Sequence, residues 1–166
     1  ILIFSRTKRG ADRICKQLNK NNIQAIAIHS DRTQRQRISA LEGFKRGKYQ
    51  VMVATDIAAR GINVEGISHV INFDVPAYAE DYVHRIGRTG RATATGDAIT
   101  FVSQDEVLNL RKIEKFIERK FKPEMADGFA YTQRVSIDGK AESKKDIKYS
   151  KPSSGKRQWT KSKNFS

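Results

Sequence analysis

The sequence predicts an α/β fold in which helices cover both faces of an open parallel sheet, followed by a disordered basic tail. Short apolar runs rich in β-branched residues alternate with amphipathic helical patterns, and no tight hairpin signal joins neighbouring strands. After about residue 130 the chain is rich in Lys and Ser and almost free of aliphatic residues. We therefore expect a folded domain over residues 1–129 and a disordered tail over residues 130–166.

The strands are predicted from apolar runs of four or five residues, the length and composition of buried parallel strands. In chain order these runs are Ile1–Phe4, Ala25–Ile28, Val51–Ala54, His69–Phe73 and Ala98–Val102. The fourth run stops before Asp74 and Pro76, which are turn formers.

The helices are predicted from apolar residues that recur at helical spacing between the strands. The first two helical patterns are Ala11, Ile14, Cys15 and Leu18, and then Ile38, Leu41 and Phe44, which ends near Gly47. A third helix is expected over Tyr78–Arg85. Ser103–Glu106 has the form of a capping box and opens a last helix. The apolar face of that helix is Val107, Leu110, Ile113 and Ile117.

The formal net charge of +14 indicates a polyanionic partner. Residues 130–166 hold ten Lys and Arg against three Asp and Glu, a net charge of +7, so the other +7 lies in residues 1–129. A single cysteine excludes an intrachain disulfide and favours a reducing, cytoplasmic location. No run approaches the roughly 20 apolar residues of a membrane span. Because a strand opens the chain without an initiating Met or a charged signal region, we expect a fragment of a longer protein.

Polar and charged residues follow the predicted strands at their carboxyl ends, where open parallel sheets bind ligands. They are Ser5–Lys8, His29–Asp31, Thr55–Asp56 and Asp74. Each could be an ordinary helix cap or turn former. Taken together, they favour a binding site along one edge of the sheet.

The segment His84–Arg91 places three arginines at i, i+3 and i+6 with two glycines between them. Each glycine weakens a helix by ~1 kcal/mol, whereas guanidinium groups match phosphate oxygens. The segment is therefore a solvated basic turn, a loop that contacts RNA, or a sensor of a γ-phosphate. A second segment, Val53–Asn63, is either a structural strand-to-helix connection or a loop that presents Thr55 and Arg60 to a backbone phosphate.

Together these segments resemble the DEAD-box family of superfamily 2 RNA helicases over roughly residues 1–129. Ile3–Thr7 resembles motif IV, Gln34–Arg37 the Gln-x-x-Arg element, Ala54–Gly61 motif V, and His84–Arg91 motif VI. The amino-acid sequence of Phe73–Tyr82 is most similar to that of the bacterial RhlE-type subgroup. Asn63 stands where the family usually has Asp, and Ser30 where it usually has Gly.

The resemblance implies the second RecA-like domain of an ATP-dependent RNA helicase, acting on RNA mainly through its backbone. Arg88 and Arg91 are the implied catalytic arginines at the ATP γ-phosphate, and Gly61 and Asn63 the implied contacts to the nucleotide ribose. His84 and Arg85 are implied to couple the site to the partner domain, with Arg85 more an internal brace. The implied RNA contacts are Ser5, Arg6, Thr7, Gln34, Arg37, Thr55 and Arg60.

The resemblance also implies partners for this chain. ATP would lie between this domain and an N-terminal RecA-like domain of the same protein, which would hold Mg²⁺. The sequence has neither a G-x-x-x-x-G-K-[ST] loop nor an Asp-Glu-Ala-Asp motif, so we expect this chain alone not to hydrolyse ATP. Ribosomal or RNA-decay proteins are possible partners of the tail. Two rival functions remain: a stand-alone RNA-binding module, and the second motor domain of a DNA helicase.

Overall fold

The computed structural model describes residues 1–62, 64–90, 96–126 and 128–129. Five parallel strands form one sheet in the order β2-β3-β1-β4-β5. Their bounds are Leu2–Phe4 for β1, Ala25–Ile28 for β2, Val51–Ala54 for β3, His69–Asn72 for β4 and Asp97–Thr100 for β5. The parallel sheet predicted from the sequence is thus confirmed. The predicted tail, residues 130–166, lies outside the described residues.

Helices connect the strands. Their bounds are Lys8–Lys20 for α1, Gln34–Lys45 for α2, Asp56–Ala59 for α3, Ala79–Ile86 for α4 and Val107–Phe116 for α5. The predicted capping box is present, with Ser103 paired to Glu106 in a 3₁₀ turn that leads into α5, and a second one pairs Thr33 with Gln36 at the start of α2. The single-turn helix α3 stands where the sequence indicated only a short turn.

The sheet carries helices on both faces because successive strand residues point to opposite sides. On one face, Ile14 of α1 packs with Ile3 and Val53. On the other face, Phe4 and Met52 belong to a buried cluster against which Leu41 and Phe44 of α2 pack. Helices on both faces were predicted, and this prediction is confirmed.

A third buried cluster joins α4 to α5 beyond the sheet. Val75, Tyr82 and Ile113 are at most 4% exposed, and partly buried Ile117 and Phe121 pack against them. This cluster fixes α4, which carries the arginine-rich segment, to the rest of the domain. Within the described part of the chain, no helix has the length and apolar character needed to cross a bilayer.

Candidate functional site

A cleft lies where the direction of the chain connections reverses. From β1 the chain passes to the β2 edge of the sheet, whereas from its neighbour β4 it passes to β5 at the opposite edge. Two neighbouring strands whose connections diverge leave a crevice at their carboxyl ends, which is where open α/β sheets bind ligands. The cleft has a volume of about 230 Å³. Its lining residues are Phe4, Asp56, Ala59, Arg60, Gly61, Asp81, His84, Arg85 and Arg88.

Arg85 is held inside the domain at the floor of this cleft. It is 2% exposed, and its Nε and Nη2 donate to the two carboxylate oxygens of Asp56 at 2.6 and 2.8 Å. Its Nη1 donates to Asn72 Oδ1 at 3.1 Å and to the Asp74 carbonyl at 2.8 Å. The guanidinium also lies 5.0 Å from the ring centre of Phe4. These bonds tie α4 to α3, β4 and β1, so in this conformation the side chain faces inward rather than towards a partner domain.

Arg88 follows the end of α4 and reaches the cleft half-buried. Its Nη1 donates to the carbonyl of Ile62 at 2.9 Å. Among the residues that the structure describes, no carboxylate lies within ion-pair distance of Arg88. The charge of Arg88 is therefore available to an anion in the cleft, in contrast to that of Arg85.

The loop after α3 supplies the acceptor for Arg88. Gly61 has a φ of +79°, in the left-handed region that favours glycine, and the Ile62 carbonyl follows directly. Arg60 is 73% exposed and lies 3.6 Å from Asp81, a weak contact across the cleft. The exposed His84 also lines the cleft. The structure thus places Arg60 beside the arginine-rich segment, although the sequence grouped it with the RNA contacts.

The cleft carries an excess of positive charge. Its lining includes three arginines and two aspartates. Asp56 is engaged by Arg85 through two hydrogen bonds, whereas the ion-pair contact of Asp81 within the described ranges is the long one with Arg60. A pocket with unneutralised guanidinium groups attracts anions, and phosphate oxygens match guanidinium geometry.

Ser5 and Arg6, both predicted to contact RNA, form hydrogen bonds within the domain at the carboxyl end of β1, where Ser5 is buried and Arg6 is exposed. Ser5 is 1% exposed, and its hydroxyl donates to Asp74 at 3.2 Å. The amide of Arg6 donates to the same carboxylate oxygen at 2.8 Å. The Arg6 guanidinium pairs with Glu106, which also accepts from the amide of Val75 at 3.0 Å. These contacts link β1 to the start of α5.

The remaining predicted RNA contacts lie around the starts of α1, α2 and α3. Thr7 caps α1 by accepting from the Gly10 amide at 3.0 Å. Arg37 donates to Gln34 Oε1 at 3.4 Å, while its buried Nε has no acceptor among the described atoms. A buried donor without an acceptor is costly, so an oxygen ligand would stabilise it. Thr55 is 8% exposed and precedes α3 without a side-chain capping bond.

The sequence did not identify the partners that orient this edge of the sheet. His29 is 2% exposed and pairs through Nε2 with Asp12 at 3.1 Å, while its Nδ1 has no partner among the described atoms. Arg32 donates to the same carboxylate at 2.6 Å. Asp12 lies on the polar face of α1, so its spacing carried no signal of this role.

Two predicted site residues, Asn63 and Arg91, lie outside the described residues. Over the described ranges, no three His, Cys, Asp or Glu side chains converge to hold a metal ion. The cleft has two carboxylates, and that of Asp56 is engaged by Arg85, so its side chains do not fit Mg²⁺.

Comparison with known proteins finds helicases similar to this chain. The helicase conserved C-terminal domain family matches residues 1–93. The DEAD-box ATP-dependent RNA helicase CshA of Geobacillus kaustophilus is 44% identical over 141 residues, which cover 82% of this chain and 30% of that protein. The ATP-dependent RNA helicase DBP2 of Lodderomyces elongisporus is 45% identical over 137 residues, or 81% of this chain and 24% of the relative. The chain thus spans less than a third of these relatives.

Solved structures of DEAD-box proteins have a fold similar to that of this chain. The E. coli DEAD-box protein SrmB, in a crystal structure with the regulator of ribonuclease activity A, superposes with a TM-score of 0.77 at 34% identity. The match covers 81% of this chain and 79% of SrmB in that structure. The C-terminal domain of the DEAD-box protein Dbp5 gives a TM-score of 0.65 at 32% identity, covering 70% of this chain and 68% of that domain.

Proposed function

This chain belongs to the helicase conserved C-terminal domain family, in the form found in DEAD-box RNA helicases, and from that premise we propose that it supplies the arginine finger of a split ATP site. The observation that carries the proposal is the position of Arg88, which lines the cleft at the carboxyl edge of the sheet. It makes one hydrogen bond to a neutral carbonyl and no described ion pair. Its guanidinium can therefore form an ion pair with a phosphate.

The chemistry is phosphoryl transfer, in which negative charge spreads over the oxygens of the transferred γ-phosphate. The guanidinium of Arg88 would bind those oxygens once a second domain brings ATP to the cleft. An arginine supplied in this way accelerates hydrolysis by ~10³–10⁵ in well-studied enzymes. Arg91 is proposed to act beside it, and Gly61 and Asn63 to contact the ribose.

The phosphate-binding loop would come from the N-terminal RecA-like domain, because this sequence has no G-x-x-x-x-G-K-[ST] motif. Mg²⁺ would be held there as well. We therefore propose that this chain alone does not hydrolyse ATP. The exposed His84, on the same turn of α4 as Arg85, would contact the partner domain, while the buried Arg85 would hold the cleft in shape.

RNA is proposed to run along the rim formed by the starts of the helices. The buried, unpaired Nε of Arg37 supports a phosphate there, and Thr7, Gln34 and Thr55 add hydroxyl and amide groups. Contacts of this kind read phosphate and sugar, so little sequence preference is expected. If domain closure completes both the ATP cleft and the RNA rim, the two ligands favour the same state and bind with positive coupling. Closure on a bent single strand would open a duplex locally.

Further assignments rest on the resemblance and composition. A location in the cytoplasm and a role of the tail in salt-sensitive RNA affinity are both proposals. The assignment to the RhlE-type subgroup rests on the amino-acid sequence of Phe73–Tyr82. The relatives described above bear other names.

The finger assignment is tested by Arg88→Ala in the full-length protein that contains this domain. We expect RNA-stimulated ATP turnover to fall by at least about a hundredfold, a cautious lower bound for an arginine finger. Arg46→Ala serves as the control because Arg46 is an exposed arginine that follows α2 and does not line the cleft. Circular dichroism should show an intact fold for both variants. Near-normal turnover in Arg88→Ala would remove the finger assignment, and stronger stimulation by DNA than by RNA would favour a DNA helicase.

A further inference from the structure

A second cavity lies at the far end of α5, away from the proposed ATP cleft. It has a volume of about 650 Å³. Its lining residues are Arg111, Glu114, Lys115, Glu118, Arg119, Lys120, Phe121 and Pro123. None of these residues lines the first cleft. We refer to this cavity as the α5 groove.

The α5 groove is formed by a sharp reversal of the chain. Glu118 has a φ of +54°, a left-handed conformation that is uncommon for a residue other than glycine. The amide of Arg119 then donates to the carbonyl of Glu114 at 3.1 Å, a bond that closes helices by turning the chain back. The ring of Phe121 packs edge-on against Tyr82 at 5.8 Å and anchors the returning segment. The groove therefore has two fixed walls, α5 and residues 119–123.

One of the two carboxylates in the lining is already neutralised internally. Glu114 is 6% exposed, and its oxygens accept from the Phe121 amide at 3.0 Å and from Arg111 at 2.7 Å. Burial opposes the charge on Glu114, but these hydrogen bonds outweigh it and lower the pKa of the carboxyl. The hydrogen bonds of Glu114 thus stabilise the turn, and its strongest cation contact is Arg111.

Three cations remain at the opening. Lys115, Arg119 and Lys120 are exposed, and over the described part of the chain none forms an ion pair within 4.0 Å. They share the groove with one exposed carboxylate, Glu118, so positive charge is in excess at the opening. The lining as a whole has four positive and two negative side chains. This arrangement fits a ligand with several closely spaced negative charges.

We propose that the α5 groove binds the phosphate backbone of a single-stranded RNA segment. This site lies outside the proposed RNA rim at the starts of the helices. The inference takes RNA as the ligand class from the proposed function and assigns RNA a second site. The path to it is short, because Glu106 pairs with Arg6 at the rim and directly precedes α5. The ten residues of α5 then span ~15 Å to the groove. A strand that leaves the rim near Arg6 can therefore follow α5.

The choice between RNA and an acidic protein segment follows from charge. The folded part of this chain is itself basic, with half of the total excess lying in residues 1–129. Strong positive charge distributed over a domain is typical of proteins that bind nucleic acid. An acidic protein segment remains as the contrary outcome of the experiment.

The experiment measures binding of the whole chain to a labelled single-stranded RNA by fluorescence anisotropy at several salt concentrations. The groove variant combines Lys115→Gln, Arg119→Gln and Lys120→Gln. A matched control combines Arg13→Gln, Lys16→Gln and Lys20→Gln, which remove the same charges from the exposed face of α1. For the groove variant we expect about tenfold weaker binding near 0.1 M salt. Its salt slope should fall by about two, at roughly 0.7 per phosphate contact on a single strand.

Lysine acetylation locates the contact without any substitution. Bound RNA should protect Lys115 and Lys120 from acetylation but leave Lys16 and Lys20 reactive.

Glu118→Gln removes a negative charge from the lining and should tighten RNA binding. Arg88→Gln should leave the protection of Lys115 and Lys120 by RNA unchanged. The groove proposal and the arginine-finger assignment can therefore fail independently of each other.

Several outcomes would overturn the proposal. Equal losses in the groove variant and the α1 control would show a general charge effect. Unchanged binding in the groove variant, or weaker binding after Glu118→Gln, would contradict a phosphate site. Protection of Lys115 and Lys120 by poly-glutamate but not by RNA would replace RNA with an acidic protein segment.

Discussion

Replacing the buried Arg85 with methionine should destabilise the domain strongly. The change keeps an apolar stem beside Phe4 but removes four hydrogen bonds. The Asp56 carboxylate then loses its arginine partner. The side-chain oxygen of Asn72, a residue that is 0% exposed, loses the hydrogen bond that Arg85 donates to it. Removing one partner of a buried ion pair costs ~3–5 kcal/mol. Because the side chain of Asp56 is 31% exposed, solvent offsets part of this cost. We therefore expect a loss of about 3 kcal/mol.

Urea denaturation followed by circular dichroism measures the loss. With a slope near 2 kcal/mol per molar urea, the midpoint should fall by about 1.5 M. Arg88→Met is the matched control, since the same substitution three residues later removes one hydrogen bond, to the Ile62 carbonyl. A single hydrogen bond contributes ~1 kcal/mol. If Arg85→Met lost less than about 1 kcal/mol, or if both variants lost the same amount, the internal network of Arg85 would not be what holds α4 in place.

Two further perturbations test other parts of the structure. Gly96→Ala should destabilise the domain by ~1–3 kcal/mol, as measured by urea denaturation. The added methyl group would overlap Thr89 and come within 2.7 Å of the Gly90 amide nitrogen. A variant as stable as the parent protein would contradict that packing. The pKa of Glu114 is lower in the folded state than its ordinary value of 4.5, so its contribution to stability is present above that pH and is lost as the pH falls below it. Glu114→Gln should therefore flatten the fall in stability as the pH drops below 4.5, and an unchanged acid profile would show that the Phe121 amide bond does not depend on the charge.

Much of the fold was predictable because the signals are local. The runs Ala25–Ile28 and Val51–Ala54 are strands with the predicted bounds. Composition could not separate an edge strand from a central one, so nothing indicated that Ile99 in β5 would be 43% exposed and Phe101 53% exposed. The single turn of α3 was missed since four residues are too few to show helical periodicity.

The candidate site was predictable only in outline. Arg85 and Arg88 occupy equivalent places in a three-residue spacing, yet one is buried and the other faces the cleft. The difference arises because α4 ends at Ile86, so Arg85 still lies on the inner face of the helix while Arg88 follows its end. The partners of these arginines are distant in sequence: Asp56 lies 29 residues from Arg85. Local patterns do not report such contacts.

The bond between Arg88 and the Ile62 carbonyl leaves most of the guanidinium open to whatever enters the cleft. An arginine side chain has five N–H donors, and in the described structure this carbonyl accepts from one of them. An incoming anionic oxygen can therefore bind without first breaking that bond, and it adds a Coulomb attraction that a neutral oxygen lacks. The resting contact thus holds the side chain in one orientation before a ligand arrives.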